Sequence, residues 1–360
     1  MKKFLKYFIL SLTLLLVLNF VQNTALYAQK RKSKEEIKKE EQVKKGKEKL
    51  KNSEVKSIEY FSNGEKSGFT TLDTAGNQGE NIYYHNGEQL NREIYTYNDK
   101  NNIIRKIFFN ENDKLQYIEK YTYNTFDKVI FFEKLDKDSL PVYIKSYSYD
   151  ERGNLIEQDE IYNNSDTVIY FYQYNENNYK TEAKQLINDE VFSVYNFTYD
   201  SLGDLIKERQ YNAGTVEEVI NQYYYKYDDR ENLLEYKVES NDTSQSYTEK
   251  MKYDNNDNKI EYASYNKKNE LEYRQIFSYN NNNDITEITT YNFDNSVDRK
   301  EIYLYNKSGQ LIENKVVNAD NDIRQKSNWK YDNRGNVIEV IFEQKGREKL
   351  VISYVYVYYY

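Results

Sequence analysis

One histidine, His85, and no cysteine are available for chemistry in this chain of 360 residues. Without cysteine there is no thiolate nucleophile, no disulfide, no Cys-ligated metal and no lipidated thiol. One histidine cannot build a multi-His metal site, and a Ser–His–Asp triad would have to use it. His85 stands in Tyr83-Tyr84-His85-Asn86-Gly87-Glu88, where Asn-Gly marks a tight turn, so a solvated turn residue is expected rather than a base. What remains is oxygen chemistry from 59 Asp and Glu residues and the phenols of 41 Tyr. Two carboxylates facing each other in a cleft could hydrolyse a glycoside. The glutamates instead recur at equivalent places in a repeat, which spreads them along an array, so no catalytic residue and no enzyme is expected. Asp254-Asn255-Asn256-Asp257-Asn258 and Asp320-Asn321-Asp322 look like oxygen-rich calcium loops. They lack the glycine and the distant carboxylate that calcium requires, and they read as turns; no metal and no cofactor is expected.

The elements that carry these residues follow from a repeat marked aromatic–x–Tyr–Asp/Asn. Its tyrosines are Tyr97, Tyr123, Tyr149, Tyr174, Tyr199, Tyr227, Tyr253, Tyr279, Tyr305 and Tyr331, most of them 26 residues apart. A degenerate copy has Leu72 in the Tyr place, which makes eleven. Asp or Asn follows every time, as in Asp150, Asp200 and Asp332. Four residues past the tyrosine comes a residue suited to positive φ, such as Gly153, Gly203 or Gly335; Glu231 is the exception. Aromatics two apart point to one face of a strand, and the residues between them are mostly polar. Asp or Asn then accepts from backbone N–H groups in an Asx-turn, and the left-handed residue closes the loop. A second Asn/Asp/Gly cluster falls half a repeat later. Each repeat is therefore a β-hairpin. The expected fold is all-β: about eleven tandem antiparallel hairpins of period about 26, forming one long curled or spiral sheet over residues 57–360, with the rings turned inward over a wet interior.

The segments Tyr147-Ser148-Tyr149-Asp150-Glu151-Arg152-Gly153-Asn154-Leu155, Phe197 to Leu205 and Trp329 to Val337 resemble the RHS/YD repeats of bacterial cell-surface and toxin-delivery proteins. That resemblance covers roughly residues 55–360. It implies a long antiparallel sheet that spirals into a shell, and a binding or enclosing role. The Asn-Gly segments at Tyr60–Gly68 and Tyr84–Gly87 more weakly resemble MORN-type repeats.

Residues 1–28 read as a signal peptide: Lys2, Lys3 and Lys6, then an apolar run from Tyr7 to Val21, with a cut expected after Ala28. Residues 29–56 read as a basic, helical linker. Gln29 to Ser57 holds 12 Lys/Arg against 6 Asp/Glu, whereas residues 58–360 hold 36 against 53, a net of −17. The acidic body argues against nucleic acid, and membrane contact is expected to be peripheral at most, through residues 29–56. The function expected is an exported scaffold, secreted, periplasmic or on the cell surface of a bacterium, that binds glycan or protein. The alternatives are a structural spacer or shell and, remotely, a carboxylate glycosidase. The terminal stretch Val351–Tyr360 is expected to be an open strand able to accept a partner strand.

Overall fold

The computed structural model describes residues 54–359 apart from 164 and 213–218. The signal segment with its cut after Ala28, and the leader up to residue 53, lie outside the described residues, as does Tyr360. Twenty-four strands run in chain order from β1 (Val55–Ser62) to β24 (Leu350–Tyr358), each of 7–10 residues. The last two residues assigned to the linker, Val55 and Lys56, open β1.

Each strand pairs antiparallel with the next, from β1 with β2 (Glu65–Leu72) through to β23 (Val337–Gln344) with β24. The ring then closes, because β24 also pairs antiparallel with β1, from Ile58 opposite Tyr356 to Ser62 opposite Ile352. The expected curled or spiral sheet is corrected here to a closed barrel. The physical reason is that a one-faced sheet this long leaves two raw edges, and closure removes both. Val351–Tyr358 is accordingly not an open edge: β23 and β1 flank it on either side.

Closure also changes the repeat count. Twelve strands end in a motif or its remnant, and β1 serves as the return strand of the twelfth hairpin, whose outgoing strand is β24. The ring is thus stitched without a covalent turn at a single seam, packed by Val55, Ile58 and Leu72 against Tyr60, Tyr354, Tyr356 and Tyr358.

Motif turns gather on one rim. In the first full copy, Asn101 N donates to Asn98 O and Asn98 N to Asn102 O, while Asn98 Oδ1 accepts from the N–H groups of Lys100 and Asn102 at 3.0 Å. The residue four past the tyrosine has positive φ in every copy, Glu231 included at 66°. A register shift follows at each motif tyrosine, as where Thr96 faces Arg105 but Tyr97 faces Ile103. This is a type I turn closed by a left-handed residue and a bulge. The opposite rim uses two-residue turns at Asn63-Gly64 and Asn86-Gly87, with φ positive at both residues, and longer Asx loops such as Asn110–Lys114.

The residue between the two aromatics is exposed in all ten full copies, while the motif tyrosines are shielded. On a cylinder the concave side chains converge and shield one another, so the ring-bearing face is the inner one. The wall is a single layer. The close strand-to-strand contacts run between neighbours around the ring, and the largest fully buried side chains are Val55 and Ser193. Twenty-four strands at ~4.8 Å give a circumference of roughly 115 Å, hence a backbone diameter of roughly 37 Å before strand tilt widens it. No dry core fills such a ring; its interior is a wet lumen.

Candidate functional site

The inner wall is built from the motif outward. Nine of the motif tyrosines reach sideways over the neighbouring strand, and the phenol of each donates to the carbonyl of the first residue after the preceding motif's bulge. Tyr123 bonds Ile103 O at 2.7 Å, Tyr149 Val129 O at 2.8 Å, Tyr174 Leu155 O at 2.8 Å and Tyr199 Lys180 O at 2.8 Å. Tyr253, Tyr279, Tyr305 and Tyr331 repeat the contact with Leu233, Lys259, Ile285 and Leu311. In the twelfth hairpin Tyr356 does so with Val337 O at 2.8 Å. Tyr97 makes its contact with the backbone of Gln78, the equivalent residue. These phenols are structural latches. Burial raises the pKa values of Tyr97, Tyr123, Tyr149, Tyr174, Tyr199, Tyr305, Tyr331 and Tyr356, that of Tyr97 to about 12.

Asp150, Asp200 and Asp332 cap their turns: Asp150 Oδ1 accepts from Asn154 N at 2.7 Å, Asp200 Oδ1 from Asp204 N at 2.9 Å and Asp332 Oδ1 from Asn336 N at 2.7 Å. Loss of solvent pushes the carboxyls of Asp150 and Asp332 up, but hydrogen bonds from these backbone and amide groups outweigh it and hold them below the usual range. Gly153, Gly203 and Gly335 take φ of 81°, 89° and 78°. At Gly203 a Cβ would overlap the Tyr179 phenol.

A second device was not read from the sequence. The residue five past the motif tyrosine, often Asn, bridges to the next turn. Asn154 Nδ2 donates to Asp150 and also to Asn178 Oδ1 at 3.0 Å; Asn232 reaches Asp257 at 2.8 Å, and Asn258 reaches Asn283 at 2.9 Å. The Asn at that place in several copies was the available signal.

Between the rims the inner wall alternates rings and paired charges, because its cross-strand partners set Tyr beside Lys and Lys beside Glu. On β8 (Pro141–Tyr149) and β9 (Leu155–Tyr162), Glu160 takes Lys145 Nζ at 2.9 Å, Tyr143 OH at 2.7 Å, Tyr162 OH at 2.6 Å and Gln158 Nε2 at 2.6 Å. Burial opposes its charge, but these donors win and its pKa is lowered. Tyr143 and Tyr162 stack with centroids 4.6 Å apart. Glu93 likewise holds Lys106 at 3.0 Å and the Tyr95 phenol at 2.5 Å, and Glu119 holds the Tyr121 phenol at 3.1 Å.

In another charged pair both members are buried. Lys180, on β11 (Lys180–Ile187), and Glu208, on β13 (Leu205–Asn212), are 4% and 8% exposed. Lys180 lies 4.4 Å from the centroid of the Tyr172 ring. Burial lowers Lys180 to about 8 and raises Glu208 to about 7, each partly offset by the charge of the other. The Tyr172 hydroxyl, also buried, has no hydrogen-bond partner among the described residues.

Other candidates disperse. His85 ends its strand, exposed, beside the Asn86-Gly87 turn. Asp254 caps a turn through Asn256 N and Asn258 N, and Asp322 N donates to the capping Asn318. Among the described residues no group of three acidic, His or Cys side chains could hold a metal ion.

No family model matches the chain and no curated protein sequence matches it. Solved structures give distant likenesses. The TcdB2-TccC3-TEV structure shares 11% identity over 86% of this chain and 17% of that one, at a TM-score of 0.43. The Tc holotoxin pore of Photorhabdus luminescens shares 11% over 79% of this chain and 19% of that one, at 0.33. A porin-like protein from Bacteroides uniformis shares 10% over 84% of this chain and 96% of its own, at 0.22. The chain thus spans less than a fifth of the length of the two toxin chains.

Proposed function

We propose that this chain is a hollow, non-catalytic β-cylinder that serves as a binding scaffold for glycan or protein at a bacterial cell envelope or surface. The observation that carries the reading is the closed single-layer wall around a lumen of tyrosines and paired charges. A wall without a core has no room for a dry active-site cleft, and it offers long polar surfaces inside and out. The inner carboxylates Glu93, Glu119 and Glu160 each engage a phenol and a lysine. That suits a fixed structural charge better than an acid and a base working as a pair.

The outer face supports a cylinder bathed in water. Between the aromatics it presents Thr96, Thr122, Ser148, Lys226, Lys252 and Lys330, with Leu304 the apolar exception, whereas a membrane barrel presents an apolar belt. The basic apolar run at residues 1–28 supports export, and the RHS/YD-like motif supports a surface or shell role. A purely structural shell is the second reading. It is favoured by the rings being stacked on each other and the latch phenols being tied to the wall.

The two readings separate in a glycan and peptide array probed with the chain from residue 29 onward. Reproducible capture by a glycan or peptide class supports the scaffold. Blank arrays with a folded protein leave the structural shell.

A further inference from the structure

Many cations of this wall sit on carboxylates: Lys145 on Glu160 at 2.9 Å, Lys120 on Glu133 at 2.8 Å, Lys330 on Glu339 at 2.7 Å. In a body with 53 acidic and 36 basic residues that is the expected arrangement. On the rim opposite the motif turns, cations without such partners gather. There a cleft of about 250 Å³ opens between β22 (Ile323–Tyr331), β23 and the turn that follows β23, and it is lined by Arg324, Lys345, Arg347, Lys349, Glu343 and Ile323. Its one carboxylate, Glu343, is 3.6 Å from Lys349. Among the described residues Arg324, Lys345 and Arg347 have no ion-pair partner, and Asp320, Asp322 and Glu348 in the adjoining turns form none with them. Lys326 pairs with Glu343 in the strand register, so Arg324 and Lys345, each two residues further along, share that outer face. Three unpaired cations held together repel one another until an anion joins them.

A second cleft repeats the chemistry on the same rim. It measures about 500 Å³ and is lined by Lys237, Lys267 and Lys268 with the hydroxyls of Thr243, Ser246 and Thr248. Its carboxylate, Glu239, is taken by Lys237 at 2.6 Å, and Lys267 Nζ donates to Thr243 Oγ1 at 2.9 Å. The clefts lie about six strands apart, roughly 30 Å along the rim at ~4.8 Å per strand. A small anion can fill one of them, whereas a chain with repeated anionic groups engages both. Ile323, half exposed beside the guanidiniums, offers an apolar surface to a sugar ring, and the hydroxyls of the second cleft suit a polyol.

We propose that this rim binds an anionic polysaccharide, whose carboxylate or phosphate groups seat against Arg324, Lys345 and Arg347 and, further along the chain, against Lys237, Lys267 and Lys268. Guanidinium groups hold such oxyanions through paired hydrogen bonds. The proposal rests on the scaffold reading and names its ligand class.

The test is calorimetric titration of the folded chain with an oligouronate long enough to span both clefts, with neutral dextran of equal length and with duplex DNA. The oligouronate is expected to bind, and to bind more weakly as salt rises. Arg324→Gln/Lys345→Gln/Arg347→Gln is expected to weaken it by about tenfold or more. Lys120→Gln/Lys330→Gln, which removes outer lysines elsewhere, is expected to leave it unchanged. Circular dichroism checks that each variant keeps its fold. Equal affinity of wild type and the triple variant, or DNA binding as tight as the oligouronate, overturns the anionic-glycan site. If dextran binds and the triple variant binds it equally, this site fails while the scaffold reading stands; if neither the oligouronate nor dextran binds, this site fails, and a blank glycan and peptide array besides removes the scaffold reading too.

Discussion

Four residues beyond each motif tyrosine the backbone turns left-handed, and the side chain there decides how costly that is. Glycine and asparagine meet the demand in most copies; Glu231 meets it at φ 66° with a Cβ that disfavours it. From the sequence Glu231 looked like a break in the pattern, but the turn imposes its geometry on whatever residue arrives. Glu231→Gly is expected to stabilise the protein by about 0.5–1 kcal/mol, read as a shift of the urea midpoint. Gly203 and Gly309 make a matched pair of opposite sign. Both have positive φ, but only at Gly203 does the space for a Cβ already belong to Tyr179. Gly309→Ala should cost about 1 kcal/mol and Gly203→Ala distinctly more, by the same measurement.

Lys180 and Glu208 give a residue-scale prediction in pH. Lys180 titrates near 8 in the fold, below its unfolded value of about 10.4, so the native state holds fewer protons there and stability rises as pH climbs from about 8. Glu208 titrates near 7, above its unfolded value of about 4.3, so the native state holds more protons there and stability rises as pH falls below about 7. Their joint contribution is therefore least favourable between about pH 7 and 8. Replacing both, as Lys180→Met/Glu208→Gln, should remove that dip and raise stability in this window by about 1–4 kcal/mol. Urea midpoints of wild type and variant across pH 5 to pH 10 check it, through the difference between the two curves. Nothing in the sequence marked this pair, because the two residues stand 28 positions apart on strands separated by a third, and burial becomes apparent only when the wall is assembled.

At the scale of the element, hairpin, Asx-turn and inward-facing rings were all legible. Each depends on neighbours in sequence: Asp150 caps Asn154 four residues on, and Tyr147 and Tyr149 share a face by strand period alone. The latch was half legible. The tyrosine was plain, yet its acceptor lies about 20 residues back across a neighbouring strand. The twelfth copy was missed because Val357 stands where Asp or Asn would follow Tyr356, although the phenol bond to Val337 O is intact. Loss of one latch should act locally. Tyr279→Phe frees the Lys259 carbonyl and is expected to cost about 1 kcal/mol, with faster amide exchange confined to the hairpins that contain Tyr279 and Lys259. The turn-to-turn amides at Asn154, Asn232 and Asn258 couple each hairpin to the next along the rim, as interfaces do in other repeat arrays.

For the whole molecule the decisive feature is closure, and no local motif announces it. Whether such an array spirals or closes depends on twist, tilt and shear summed over twenty-four strands, and a small change in each decides the outcome. The sole trace in the sequence is an unpartnered strand at each end of the array, Val55–Ser62 and Leu350–Tyr358, which supply each other's missing neighbour. Removing residues 350–360 should therefore expose two raw edges, on β1 and β23. The truncated protein is expected to self-associate where the intact chain stays dispersed, measured by light scattering after size exclusion.

The seam itself offers the most direct measurement. Glu59 and Val355 face each other across β1 and β24 on the outer side, and the chain has no cysteine of its own. Glu59→Cys/Val355→Cys should therefore form an intrachain disulfide on mild oxidation, giving a monomer that migrates as a closed loop and reverts on reduction. Free thiols that stay unpaired, or disulfides that join only separate chains, would contradict the closed ring.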